Sequence, residues 1–306
     1  MSTTRGPRRV HAYVLVADPS YLRESISAYY PHVDRIVVSY DHSATSWTGT
    51  PLPLEQCLQI IATVDPERKC VLAPGVFARL DHPPLDNDTH QRQAALDQAS
   101  EGADWVLQLD TDEVMLDPGI FFDMLARADE AGAGGLDFPA RWLYTRAAAG
   151  RYLEASRRFW QVAASYPGPL AVRAGTRLRH ARQADAELYR VDFRSRNTDP
   201  WRARDAPVHA TISEQQAVLH FSWVRDSAVI RRKFSWSGHT KAMRPPRVYR
   251  RWEWRTRHPL VTGLMTPLRP QNAGWYKVVE IPEPPGGVPI EIDFADGADP
   301  SVGGLS

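Results

Sequence analysis

After a short basic stretch the chain enters a mostly apolar run at residues 10–17, VHAYVLVA, interrupted only by His11. A short run rich in β-branched residues predicts a strand buried on both faces. Leu22, Ile26 and Tyr29 then recur at helical spacing, and Pro31 stops the helix. Asp18 and Pro19 stand where a cap and a first helical residue would fall. Residues 35–40 (RIVVSY) predict a second strand, closing on Asp41-His42-Ser43. Residues 54–64 predict a helix with Leu54, Leu58 and Ile61 on one face, and residues 69–77 contain a third strand. Asp88-Thr89-His90-Gln91 reads as a capping box opening a helix to about residue 100. Residues 103–109 (ADWVLQL) predict a fourth strand.

This alternation implies an α/β fold with a central, mostly parallel sheet flanked by helices. Such sheets bind ligands beyond the carboxyl ends of their strands. Asp18, Asp41 and Asp110 each follow a predicted strand and so share one rim. Beyond Asp110 the pattern loosens. Asp117-Pro118 caps a helix that ends near Gly132–Gly135, residues 136–144 and 217–224 read as strands, and Asp226 caps a further helix. The expected organisation is a flexible N-terminus (1–9), a half built of regular strand–helix alternation (10–145), an irregular second half of the same domain (146–280) and a loosely attached tail (281–306).

Composition narrows this picture. The chain has 306 residues, 43% of them hydrophobic, enough for a full-sized core, and a formal net charge of +1. That balance gives no overall signal for nucleic acid. Cys57 and Cys70 form neither a CxxC motif nor part of a His/Cys cluster, which excludes a disulfide scaffold or a zinc knuckle. The N-terminus shows no secretory pattern, and no apolar stretch reaches the roughly 18–20 residues that span a bilayer. A cytoplasmic, soluble protein is expected, with peripheral membrane contact compatible.

Asp110-Thr111-Asp112 carries the candidate chemistry. Two carboxylates so close at the end of an apolar strand repel each other and are costly to desolvate. A divalent cation relieves both penalties. Mn²⁺ or Mg²⁺ commonly takes one or two carboxylates plus phosphate oxygens and water. The plain alternative is a turn cap beside solvated surface acids.

The context is more specific than the pair. The segment from Arg92 to Met115, with GADWVLQLDTDE at 102–113, closely resembles the signature of glycosyltransferase family 2-like enzymes of the GT-A (Rossmann-like) fold. Tyr21-Leu22-Arg23-Glu24 and Val33-Asp34-Arg35-Ile36-Val37-Val38 are similar to the same group. The resemblance implies that Asp110 and Asp112 serve the metal and the donor's ribose or diphosphate. It implies Asp41 at the base or ribose, Arg92 near the diphosphate or donor sugar, and Asp18 on the donor side. Many relatives carry Asn-Glu where this chain has Asp18-Pro19. A second segment, His220-Phe221-Ser222-Trp223 followed by Ile230-Arg231-Arg232-Lys233, resembles the distal histidine motif of several GT-A groups. It implies His220 as a third metal ligand and Lys233 at the diphosphate. The bland reading of His220 is a core histidine bonded to backbone.

The function so implied moves a sugar from a nucleoside diphosphate sugar, UDP favoured, to a hydroxyl of a carbohydrate, lipid-linked or small-molecule acceptor. A metal-dependent phosphohydrolase or nucleotidyltransferase, or a non-catalytic carbohydrate-binding protein on the same fold, are the contrasting readings. An inverting reaction needs a carboxylate base. Asp137, Glu187, Asp192 and Glu214 are weak candidates. Residues 244–258 interleave arginines with Tyr249, Trp252 and Trp254. A peripheral element with aromatics inward and arginines solvated ranks first, an acceptor platform second and a nucleic-acid surface last.

Overall fold

The computed structural model describes residues 8–236, 245–265 and 274–281, with side chains at 232–236 and 245–246 outside that set. The tail expected from 281 lies outside the described residues except for Ile281. In chain order the strands begin β1 (Val10–Leu15), β2 (Arg35–Asp41), β3 (Cys70–Gly75), β4 (Trp105–Gln108) and β5 (Glu113–Met115). They continue with β6 (Gly135–Asp137), β7 (Ala140–Ala148), β8 (Arg151–Ser156), β9 (Ala171–Arg173) and β10 (Leu178–His180). The last are β11 (Gln183–Ala184), β12 (Leu188–Asp192), β13 (Ala210–Thr211), β14 (Val218–His220) and β15 (Trp275–Glu280). The helices are α1 (Leu22–Tyr29), α2 (Leu54–Val64), α3 (Pro84–Ala99), α4 (Pro118–Glu130), α5 (Ser227–Trp236), α6 (Pro245–Arg257) and α7 (Pro259–Met265).

An eight-stranded sheet runs β13-β12-β6-β9-β4-β1-β2-β3. Its neighbours are parallel except at β9, which is antiparallel to both β4 and β6. The fold is mixed α/β, a large, mostly parallel sheet flanked by helices. Alternation within each strand supplies both layers. Val14, Ile36, Val38 and Leu107 pack on one face with Leu22, Ile26, Phe121 and Leu125. Tyr13, Val37 and Val106 pack on the other with Ala95 and Leu96 of α3. From β1 the chain moves outward to β2 and β3, then returns to place β4 on the opposite side of β1. This reversal leaves a crevice beyond the carboxyl ends of β1 and β4. A second sheet, β15-β8-β7-β14-β5, brings His220 on β14 opposite Glu113 on β5.

Several local expectations change. Asp18 caps no helix: α1 begins at Leu22 after Tyr21 in a left-handed turn, and Asp18 Oδ2 instead binds Arg225. The capping box at Asp88 also fails, because Pro84 already occupies the first turn of α3 and Asp88 lies buried one turn further on. The run 136–144 divides into β6 and β7, and 217–224 holds only the three-residue strand β14. Asp117 and Asp226 do cap, accepting from the N–H groups of Ile120 (3.1 Å) and Val229 (2.8 Å). In α6 Trp252 points inward, but Trp254 is 41% exposed while Arg255 is 5% exposed, so the inward-aromatic reading of this segment needs correction. Among the described residues no helix is long and apolar enough to cross a membrane.

Candidate functional site

A cavity of about 270 Å³ opens in the crevice between β1 and β4. Val16, Ala17 and Asp18 enter it from the end of β1, and Asp110, Thr111 and Asp112 from the end of β4. Trp47, Arg92, Arg182, His220 and Arg225 complete the polar wall, with Asp88, Gln91 and Ser222.

Three buried arginines from separate elements grip the acids. Arg92 on α3 donates through Nε to Asp88 Oδ1 (2.7 Å), one helical turn earlier, and through Nη2 to Asp110 Oδ1 (2.8 Å). Arg182, in the turn between β10 and β11, holds Glu113 in a fork at 2.5 and 2.6 Å and lies 3.7 Å from Asp110 Oδ2. Arg225, after β14, bridges Asp18 Oδ2 (3.0 Å) and Asp112 Oδ2 (3.3 Å) and donates to the Phe221 carbonyl at 2.7 Å. Glu113 Oε2 also accepts the Asp110 N–H at 3.0 Å, which fixes the turn carrying both aspartates.

These contacts set the charge states. Burial alone would raise the Asp110 pKa, but Arg92 and Arg182 outweigh it and hold the carboxyl below its ordinary range, against an opposing push from Asp112. Burial likewise works against charge on Arg182, and Glu113 with Asp110 reverses it, so the guanidinium stays firmly protonated. Burial pushes the Tyr13 hydroxyl, beside Arg92, up to about 12.

His220 Nε2 lies 3.5 Å from Asp112 Oδ1, and its ring stacks on Trp142 with centroids 5.7 Å apart. The structure therefore brings Asp18, Arg92, Asp110, Asp112 and His220 to one cavity. Asp41 is not among them. It is buried, Oδ2 accepting the N–H groups of Phe77 (2.7 Å) and Ala78 (2.9 Å) and Oδ1 that of Ser43 (2.9 Å). The Lys233 side chain lies outside the described residues.

None of the four weak base candidates lines the cavity. Asp137 is fully buried between Arg190 (3.2 Å) and Arg202 (3.1 Å), and burial raises its pKa. Asp192 is tied to the Thr198 N–H at 3.0 Å, Glu214 pairs with Lys277 at 3.0 Å, and Glu187 is exposed on the surface.

The donor set suits a cation that brings most of its own ligands. Among the described residues no group of three or more His, Cys, Asp or Glu side chains forms a ready-made metal cage. Asp110 and Asp112 nevertheless face one cavity, where Asp18, Asp88, Asp110 and Asp112 stand against three guanidiniums, one of them also paired with buried Glu113 behind the wall. A hard divalent ion needs one or two such carboxylates, with phosphate oxygens and water filling the remainder.

No motif in the sequence singles out Arg182, Arg225 or Trp47, and Gln91, expected in a capping box, lines the cavity instead. Trp47 Nε1 donates to Gln91 Oε1 at 2.7 Å, which closes the far wall. The one available signal was the position of Arg225, just beyond the His220–Trp223 motif.

No family model matches the chain, and no curated protein matches it. Solved structures overlap it in part. 4-Diphosphocytidyl-2C-methyl-D-erythritol synthase from Anaerococcus prevotii is 9% identical, covering 55% of this chain and 72% of that one at a TM-score of 0.31. Mannose-6-phosphate isomerase from Helicobacter pylori is 9% identical, with 49% and 56% covered at 0.27. Mannose-1-phosphate geranyltransferase from Thermus thermophilus is 16% identical, with 55% and 51% covered at 0.27. This chain thus spans about half the length of the latter two.

Proposed function

We propose that this protein is a glycosyltransferase that moves a sugar from a nucleoside diphosphate sugar to an acceptor hydroxyl, using Mn²⁺ or Mg²⁺ at Asp110 and Asp112. One observation carries the reading. Both aspartates meet His220 and three buried arginines in a cavity at the reversal between β1 and β4. That combination suits a diphosphate ester, whose charge must be neutralised as it departs. Asp110 and Asp112 would hold the cation, which when bound would supply Lewis-acid neutralisation of the leaving diphosphate. Arg92 and Arg225 offer guanidinium N–H groups shaped for phosphate oxygens. Asp18 and Trp47 bound the donor side, and His220 stands beside Asp112. Fixed charges of this kind stabilise a departing anion without having to reorganise.

The test is a set of UDP-, GDP- and dTDP-sugars presented with Mn²⁺, followed by thermal shift and by release of free nucleotide. At least one donor is expected to stabilise the protein and to be hydrolysed slowly. Asp112→Ala is expected to abolish Mn²⁺-dependent UDP binding while leaving the far-UV circular dichroism unchanged. Failure of every donor to bind or react refutes the reading. Release of pyrophosphate from a nucleoside triphosphate and a sugar phosphate makes the protein a nucleotidyltransferase instead.

A further inference from the structure

Away from the cavity, α6 and α7 carry an outward face that the proposed reaction does not use. On α6 the exposed positions Arg247, Arg250, Arg251, Trp254 and Arg257 recur at helical spacing and form one stripe. After His258, α7 continues with Leu260, Val261, Leu264 and Met265, all exposed, Leu264 to 75%. The neighbouring turn adds Phe159 (60% exposed) and Trp160. Trp160 is joined to α7 by its Nε1 donating to the Gly263 carbonyl at 3.1 Å.

The inward face of the same helices is firmly anchored. Trp252 Nε1 donates to the Trp223 carbonyl at 3.0 Å, and buried Arg255 donates to the Tyr276 hydroxyl at 2.7 Å. The outward face is therefore set before any partner arrives, and little ordering entropy opposes binding. Its charge is predominantly positive. Within 245–265 the single acid is Glu253, and it is paired with Arg257 at 2.9 Å.

We propose that α6, α7 and the Phe159–Trp160 turn form a docking surface for an anionic phospholipid bilayer. The arginine stripe lies among the head groups, and Leu260, Leu264 and the two aromatics enter the boundary of the acyl region. Charge complementarity selects this partner: a basic helix face draws the chain to anionic lipid, and adjacent apolar side chains gain by leaving water. A nucleic-acid strand would use the arginines and aromatics, but the aliphatic side chains of α7 offer it no stacking platform.

The experiment is flotation of the purified full chain with vesicles of phosphatidylcholine alone and with vesicles of equal parts phosphatidylcholine and phosphatidylglycerol. The protein is expected to float with the anionic vesicles and to stay behind with the neutral ones. Arg247→Gln/Arg251→Gln is expected to lower partitioning on the order of thirtyfold. Leu260→Ser/Leu264→Ser is expected to lower it on the order of tenfold or more. Both pairs are solvent-exposed, and circular dichroism checks that each variant is folded. Three results overturn the proposal: absence of flotation, flotation unaffected by the leucine pair, or displacement from the vesicles by a duplex DNA fragment that binds the arginines more tightly.

Discussion

Removing Arg182 is the sharpest test of how the site is built. Its guanidinium is 2% exposed and satisfies both oxygens of Glu113, itself wholly buried, together with the Gln108 carbonyl at 3.1 Å. Arg182→Met keeps the bulk of the side chain and takes away every one of these donors. Glu113 is then left as a buried carboxylate facing no guanidinium. Breaking a buried pair from one side costs about 3–5 kcal/mol. For a chain of this size each kcal/mol lowers Tm by about 2–4 °C, so the expected fall is roughly 6–20 °C. Urea unfolding at neutral pH gives the free-energy change, and thermal unfolding gives the shift in Tm. The double variant Glu113→Gln/Arg182→Met removes both charges and is expected to recover at least half of the loss, because no lone ion remains inside. The reasoning is refuted if the single variant loses less than about 1 kcal/mol, or if the two substitutions simply add.

Gly168 sits at φ 153°, and a Cβ there would come within 2.6 Å of Arg182 Cγ and 3.1 Å of the Arg182 carbonyl oxygen. Gly168→Ala is therefore expected to cost about 1–3 kcal/mol in urea unfolding, with the Glu113 fork disturbed. Burial tends to raise the Asp41 pKa, but the N–H groups of Phe77, Ala78 and Ser43 outweigh it and depress the value. A depressed carboxylate contributes stability that is full above its unfolded pKa of about 3.9 and is lost as pH falls through the folded value. Asp41→Asn is expected to lose about 1–3 kcal/mol at neutral pH, and the gap from the unsubstituted protein closes below about pH 4 in denaturant titrations. A gap independent of pH would mean that the charge contributes nothing.

The sheet was readable because parallel strands buried on both faces leave apolar runs, as at residues 10–17 and 35–40. Asp18, Asp110 and Asp112 were readable because they follow the apolar runs of the first and fourth strands. Of the cavity's arginines only Arg92, inside the family-like segment, was. Arg182 lies among Arg177, Arg179 and His180, where one guanidinium looks like another, and the partner that buries it is 69 positions away. Arg225 and Asp18 are 207 positions apart. Asp88 misled for a different reason. Asp-Thr-His-Gln mimics a cap, but the proline pair at 83–84 had already started the helix. Asp41 had the right address at the carboxyl end of β2, yet its carboxylate is taken up by the backbone of the loop after β3, which no spacing rule reveals. In α6 a stripe of alternating arginine and tryptophan does not show which of the two turns inward until β7 and β15 supply Tyr144 and Tyr276 to hold Arg255.

The arginine grip on the aspartates has a consequence for the order of events. Arg92 and Arg225 already hold Asp110 and Asp112. An anion arriving alone must take those guanidiniums away from their carboxylates, and a cation arriving alone must take the carboxylates away from their guanidiniums. Arriving together, each gives the other's displaced group a new counter-ion. Under the proposed reading, diphosphate and metal should bind with positive cooperativity, each tightening the other by the same factor, as linkage requires. Free nucleotide without metal, or metal without nucleotide, would be held weakly, and this exchange of partners rather than a moving lid would make the site selective for the pair.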